Sequence, residues 1–344
     1  MRALVVYPGP EFSVSDVADK VAKGLSGNGV EVRAFNMHDL IAFYTNAYVK
    51  DDKRAARRRR YIKAMDHDGA VQMCMDHLKA ELWKVPHDVL VIVSGFFTDF
   101  DSLDRIRKRG VKVVAVMTEQ PYELERELAL ASHADVVALN DPVHAEEFRE
   151  VCPVGLYLPH SYDPATHHAN GRSDRYDFTF VGTAYPSRIK FFERVDFGRA
   201  NVALAGNWEA LSRFSHLNRH KAGKSWECML NAHTAELYRQ SAMSCNTYRI
   251  EHDDGADADG WAIGPREVEL AACGTFFARE SRGESDELFP MLPTISDPSE
   301  LSDVLRWSMS HPAERQAAAD AARAAVADRD CVTVAGDLLA HVAA

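Results

Sequence analysis

The sequence predicts an α/β protein of two parallel-sheet domains in series, facing a shared cleft. Three observations carry that expectation. The 344 residues suit two domains better than one. The β-type runs are apolar throughout instead of alternating, as strands covered on both faces are. Helical stretches separate these runs, and a polar stretch near the middle interrupts the rhythm before it begins again.

Taken in order, "ALVVYPG" (3–9) reads as a strand closed by a Pro-Gly turn, and "DVADKVAKGLSGNG" (16–29) as a helix stopped by glycine. "EVRAF" (31–35), "DVLVIVSG" (88–95), "VKVVAVM" (111–117), "DVVALND" (135–141) and "VGLYLP" (154–159) follow as strands of a Rossmann-like half. Between 50 and 84 the pattern predicts a long basic helical insertion, whose core "KRAARRRRYIK" (53–63) is either a solvated helix face or a patch for an anionic partner. The polar stretch "DPATHHANGRSDR" (163–175) reads as a linker. Beyond it, "YDFTFVGTAY" (176–185), "NVALAGNW" (201–208), "CNTYRI" (245–250), "GTFFARE" (274–280) and "LPTIS" (292–296) are strand candidates, and the alanine-rich 313–330 is a helix by propensity. The expected domains are residues 1–165 and 176–330, with 331–344 as a tail packing near their junction.

Hydrophobic residues make up 46% of the chain and charged ones 26%, an ordinary globular balance. A net charge of −11 argues against a molecule built to coat DNA or an anionic membrane. No run of 18 apolar residues suggests a membrane span. The N-terminus lacks a signal-peptide layout, and the six cysteines are scattered with no CxxC pair. Reduced thiols and a cytoplasmic location are therefore expected.

Ligands of parallel sheets bind at the carboxyl ends of strands and at helix N-termini. "FVGTAYPSRIKFFERV" (180–195) has that form: a strand, a turn around Gly182 and Thr183, then a helix carrying Arg188. Gly182 permits close backbone approach, and Arg188 offers a forked cation to a phosphate; a purely structural glycine turn is the other reading. Neither this stretch nor "YPGPEFS" (7–13) is GxGxxG, and no GxxxxGK[ST] occurs, which disfavours a dehydrogenase and a P-loop kinase.

"GPREVELAACGTFF" (264–277) is the more informative stretch. Pro265 fits the first helical position and Gly274 the stop. Arg266 and Glu269, three apart, share nearly one face. Glu269 can accept both hydroxyls of a ribose, and Arg266 at the helix start can neutralise a departing diphosphate. The alternative is an ordinary intrahelical ion pair.

These stretches, with "ALAGNW" (203–208), "ELYRQSAMSCNTYR" (236–249), "ELFP" (287–290) and "PSELSDVLRWSMSHPAERQ" (298–316), resemble the CgeB-like (spore maturation protein) branch of the type-B glycosyltransferases. The resemblance runs through most of the chain from about residue 110. It implies a two-domain fold of the type-B kind, with the C-terminal half holding a nucleoside-diphosphate-sugar donor and Glu269 contacting its ribose. Many relatives carry a further glutamate eight residues earlier, where this chain has Trp261, which puts the donor-sugar contact of that side chain in doubt. Asn246 matches a recurrent asparagine of the family and is expected to line the cleft.

In the first half, Glu119 follows the strand at 111–117 and is either a general base for an acceptor hydroxyl or a dipole-favoured helix acid. His160, in "LPHS", is either a donor contact or a satisfied junction residue. The DxD triplets at 99–101 and 257–259 suggest a metal, but the helix-start arginine argues that protein cations replace it. No metal ligand and no cofactor beyond the donor substrate is expected. The expected function is metal-independent transfer of a sugar from a nucleoside diphosphate to a hydroxyl acceptor, whether protein, glycan or DNA. The alternatives are glycosylation of a modified DNA base, served by the 53–63 segment, and a non-catalytic nucleotide-binding module.

Overall fold

The structure is a computed structural model that describes residues 1–10, 12–50, 61–223, 229–249 and 260–343. The arginine-rich residues 53–60 and the triplet 257–259 lie outside the described residues. The chain divides into two compact units. The first comprises Met1–Leu139, His144–Tyr157 and Ala335–Ala344, the second Asn140–Val143 and Leu158–Val334. The segment 163–175 thus lies inside the second unit, and the tail from Ala335 onward counts with the first, where Lys112 Nζ donates to Val342 O at 2.6 Å.

The first unit is built on strands β1 (Arg2–Tyr7), β2 (Glu31–Asn36), β5 (Val89–Val93), β6 (Lys112–Val116), β7 (Val136–Leu139) and β8 (Gly155–Tyr157), with a small antiparallel pair β3 (Tyr48–Lys50) and β4 (Tyr61–Lys63). The six form one parallel sheet in the order β2-β1-β5-β6-β7-β8. Residues 89–93 and 113–116 are buried at every position, which is why their sequences are apolar without alternation. The second unit carries β9 (Tyr176–Val181), β10 (Val202–Ala205), β11 (Ser241–Asn246) and β12 (Phe276–Arg279) in a parallel sheet ordered β10-β9-β11-β12. Beneath β9, Phe180, Phe192 and Trp208 pack with ring centroids 4.7–6.2 Å apart, and Trp208 Nε1 donates to Ala205 O. No described helix is long and apolar enough to cross a membrane.

Four expectations are corrected. The strand placed at 245–250 runs instead over Ser241–Asn246. Its serines are buried because Ser241 Oγ donates to Thr179 Oγ1 and Ser244 Oγ to Thr179 O, so β9 satisfies the polar atoms that made the run look unlike a strand. The run at 292–296 forms only the single bridge Arg279↔Thr294; Pro293 has no N–H with which to extend a ladder. Among the described residues of the insertion at 50–84, the helix runs over His67–Lys84, and 61–63 pairs as β4. The polar stretch at 163–175 is packed, not a free linker: Asp163 and His167 are buried, and Arg172 donates to Thr275 Oγ1 and Ser241 O.

In both sheets one neighbouring pair of strands sends its connections in opposite directions. β1 leads to β2 on one side while β5 leads to β6 on the other; β9 leads to β10 while β11 leads to β12. Such switch points open a crevice at the strand carboxyl ends. At the second sheet's switch point the turns after β9 and β10 pack backbone to backbone. A Cβ on Gly206, whose φ is +99°, would lie 2.6 Å from Gly182 O and 2.9 Å from Gly182 N. At the first sheet's edge the loop after β6 is organised by Glu127, fully buried on helix Leu124–Ala131. Its carboxylate accepts from the N–H groups of Thr118 and Glu119 at 3.0 Å each and from Gln120 Nε2 at 2.8 Å. Burial raises its pKa, against the lowering effect of those three donors.

Two outcomes are expected. Gly206→Ala should destabilise the protein by about 2–4 kcal/mol in chemical denaturation, because neither the left-handed φ nor the neighbouring backbone can yield cheaply. For Glu127 the folded-state pKa is raised, so its contribution to stability is fully present below the unfolded value of about 4.3 and is lost as pH rises through the folded value. The melting-temperature difference between wild type and Glu127→Gln should therefore fall as pH is raised from about 4 to 8; a flat difference would refute the assignment.

Candidate functional site

The residues gathered at the second sheet's switch point come from the ends of β9, β11 and β12 and from the start of helix Pro265–Ala272. Arg266, in that helix's first turn, joins the two strands that flank the crevice. Its Nε donates to Val181 O at 3.0 Å, and its Nη1 donates to Asn246 Oδ1 at 2.6 Å. Its guanidinium carbon lies 4.8 Å from the centre of the Phe180 ring, a cation–π contact with the aromatic core below. Gly182 makes room for it, since a Cβ there would sit 2.5 Å from Arg266 Nη2.

Asn246 is 2% exposed. A guanidinium only donates, so the asparagine must turn its oxygen to Arg266. That leaves Asn246 Nδ2 buried with no hydrogen-bond partner among the described residues, and the next residue's hydroxyl, Thr247 Oγ1, is in the same condition. A buried donor left unpaired costs about 1–3 kcal/mol, so two such groups at consecutive positions of one strand end call for an explanation beyond packing.

Arg188 has a different arrangement from the one its sequence position suggests. It is buried, and its Nη1 and Nη2 donate to Thr183 O at 3.1 Å and Thr247 O at 2.7 Å. It straps the turn after β9 to the turn after β11. Thr183 is half-buried and contributes its carbonyl to that strap. Glu269 lies one helical turn along from Arg266, 6% exposed, with His167 Nε2 3.9 Å from its Oε1; it does not stand on a solvated face.

Sequence reasoning missed several members of this cluster. Glu267 is wholly buried and accepts from Tyr248 Oη at 2.5 Å, Ser285 Oγ at 2.7 Å and the N–H of Gly264 at 3.2 Å, so it fixes the helix start on which Arg266 stands. Burial raises its pKa, against these donors. Glu280, just past β12, accepts from the N–H of Tyr248 at 2.6 Å. Burial raises its pKa too, opposed by that bond and by the charges of Arg188, Arg282 and Arg266. Arg282 stacks 3.8 Å above the Tyr248 ring and donates to Ala262 O. The available signal was the charged pair Arg279-Glu280 ending an otherwise apolar strand.

The structure thus brings Gly182, Thr183, Arg188, Asn246 and Arg266 to one strand edge, with Glu269 behind them. His160 belongs to the same unit and is half-buried in the segment leading to the Tyr162–Asp330 bridge. Glu119 belongs to the first unit, where it is half-buried in the loop pinned by Glu127. Among the described residues the surroundings of Asn246 are rich in guanidinium groups, which is chemistry for an oxyanion.

Comparison with known proteins agrees with this chemistry. No curated protein sequence matches the chain. Among solved structures it is similar to a sucrose-phosphate synthase from Thermosynechococcus elongatus, at 12% identity over 99% of both chains and a TM-score of 0.67. It is also similar to HepE of Anabaena in complex with UDP, at 10% identity over 100% of both chains and a TM-score of 0.60. A third likeness is an E. coli structure described as trehalose-6-phosphate bound with UDP-2-fluoro glucose, at 10% identity over 99% of this chain and 98% of that one and a TM-score of 0.62. These likenesses show the fold, two parallel-sheet α/β domains of the type-B glycosyltransferase kind. A sequence profile described as glycosyl transferase-like matches residues 166–340, just over half of the chain and nearly all of the second unit, so the chain belongs to the glycosyl transferase-like family.

Proposed function

We propose that this glycosyltransferase uses a UDP-sugar, held at the switch point of the second sheet, and transfers the sugar to a hydroxyl acceptor without a metal ion. The observation that carries the reading is the unpartnered Asn246 Nδ2, on the amide whose oxygen accepts from Arg266. A diphosphate oxygen is an acceptor that such a donor lacks, and Arg266 supplies the opposite charge. The UDP in two of the similar structures supports the choice of nucleotide. Within the family we place the chain with the CgeB-like branch, on the stretches around Gly182, Asn246 and Arg266, and in the cytoplasm, on its five described cysteines, all buried as free thiols.

In this reading the acceptor oxygen bonds to the anomeric carbon while the bond from that carbon to the diphosphate oxygen breaks. The electron pair leaves on the diphosphate, and Arg266 stabilises the charge that develops there. Glu119 takes the acceptor proton, Glu269 receives the ribose hydroxyls, and His160 meets the donor. Arg188 acts on the donor indirectly by holding the Thr183 and Thr247 carbonyls in register.

Thermal denaturation with UDP and UDP-sugars tests donor binding. A donor present at about 100 times its Kd should add about 2.7 kcal/mol of stability, and no shift with any nucleotide sugar would sink the proposal. Asn246→Asp is the sharpest variant: it keeps an acceptor for Arg266 while replacing the unpartnered N–H group with an oxygen. It should weaken UDP binding by about 1–3 kcal/mol. Glu269→Gln should weaken it to a similar degree. Chelation with EDTA should leave turnover unchanged, whereas abolition of turnover would show that a metal takes the charge assigned to Arg266.

A further inference from the structure

The first sheet's switch point lies between β1 and β5, and the loops that flank it carry a different chemistry. Phe12 follows β1; Phe96 and Phe97 follow β5. The Phe12 ring is 6.0 Å from Phe96 and 5.6 Å, edge to face, from Phe97, and His67 meets Phe97 at 5.8 Å. All three phenylalanines are half-exposed, so this is not a closed core.

The backbone is bent to put them there. Ser94 and Phe97 have φ of +68° and +62°, and Gly95 between them has +73°. Left-handed conformations at two non-glycine residues within four positions are costly and persist only where surrounding structure imposes them. The imposing contacts are visible. A Cβ at Gly95 would lie 2.4 Å from Leu130 Cδ2. Arg126 Nη1 donates to Ser94 O at 2.7 Å while its guanidinium stacks 4.2 Å above the Phe96 ring, and it is itself ion-paired with Glu123. Around the same loops, Ser94 Oγ, Thr98 Oγ1 and Thr118 Oγ1 are buried with no hydrogen-bond partner among the described residues. Ser94 is fully buried. Thr118 comes from the end of β6, the strand next to β5.

We propose that this edge of the first unit is a binding site for a ring that offers a flat apolar face and a hydroxyl group, and that the rings of Phe12, Phe96 and Phe97 grip the face. This deepens the reading of the protein as a glycosyltransferase by naming its acceptor class. The cation beside these rings, Arg126, is ion-paired with Glu123 and donates to Ser94 O, with only its Nη2 left without a hydrogen-bond partner among the described residues, so its charge is balanced and the site suits an uncharged ring. Aryl alcohols and simple glycosides share the required chemistry, because both have an apolar ring face for stacking and hydroxyls for the unpaired Ser and Thr groups.

Ligand-observed NMR on the full-length protein tests this with 4-nitrophenol and with methyl α-glucoside as separate probes, at a mildly acidic pH that keeps the nitrophenol protonated and uncharged. At least one probe should show saturation transfer, and Phe12→Leu and Phe97→Leu should each reduce its affinity by about 10-fold, since leucine keeps the apolar volume but removes the ring face. Transfer to 4-nitrophenol alone identifies an aryl acceptor, and transfer to the glucoside alone a glycan acceptor; either supports the site. No transfer to either probe, or unchanged affinity in both variants, overturns it. The UDP-induced thermal shift, measured in the same variants, should be unchanged. Its absence from wild type counts against the donor reading and leaves the ring-binding result standing.

Discussion

The second unit is organised around one guanidinium. Arg266 reaches from a helix start across the crevice between β9 and β11 and holds both strand ends, Val181 through a carbonyl and Asn246 through a side chain. Several other choices follow from placing a cation there. Residue 182 must lack a Cβ, or it would collide with Nη2. Residue 206 must lack one as well, because the turn after β10 packs directly on the Gly182 backbone. Phe180 must present an aromatic face, because the guanidinium rests on it and an aliphatic floor would desolvate the charge without returning any electrostatic attraction. The aromatic core under β9 therefore both stabilises the unit and supports the site.

Buried carboxylates do the positioning in both units, and they differ from the residue expected to meet a ligand. Glu267 holds the start of helix Pro265–Ala272 through Gly264, Tyr248 and Ser285, while Glu127 holds the loop after β6 through two backbone N–H groups and Gln120. In each case three donors converge on one carboxyl group, and in each case burial works against the charge those donors favour. Such a group is hard to replace: an alanine would leave three polar partners unsatisfied at once.

Much of this was legible in the sequence because buried parallel strands announce themselves by unbroken apolar runs, as in β1, β5, β6, β7 and β10, whereas β2, with Glu31 and Arg33, and β9, with Asp177 and Thr179, show only part of that signal. Arg266 and Glu269 were legible because charge opening a helix between buried strands has no packing explanation. What stayed hidden depends on contacts between distant residues. Ser241 and Ser244 read as polar until Thr179, over sixty residues away, satisfies them. Arg188 reads as a free phosphate cation until its two carbonyl partners are seen. Nothing in the sequence singles out Glu127 or Glu267 as the points on which the donors of Thr118, Glu119, Gln120 and of Tyr248 and Ser285 converge. The left-handed Ser94 and Phe97 are likewise invisible in a sequence where only Gly95 hints at a turn.

The departure at Trp261 also has a structural counterpart. At residue 261 this chain places an indole against Gly283, close enough that a Cβ on Gly283 would lie 2.1 Å from Trp261 Cδ1 and 2.4 Å from Nε1. The indole is half-buried, and the Trp261 carbonyl accepts from the N–H of Glu284. Tryptophan at 261 and glycine at 283 therefore form a matched pair: a larger residue at 283 would expel the indole, and a carboxylate at 261 would leave the surface over Gly283 uncovered. A carboxylate orients a ligand by accepting hydrogen bonds, whereas an indole offers an apolar face and one donor. Trp261 thus offers surface in place of an acceptor, at a position two residues from Ile263, whose N–H is held by Glu284 in turn.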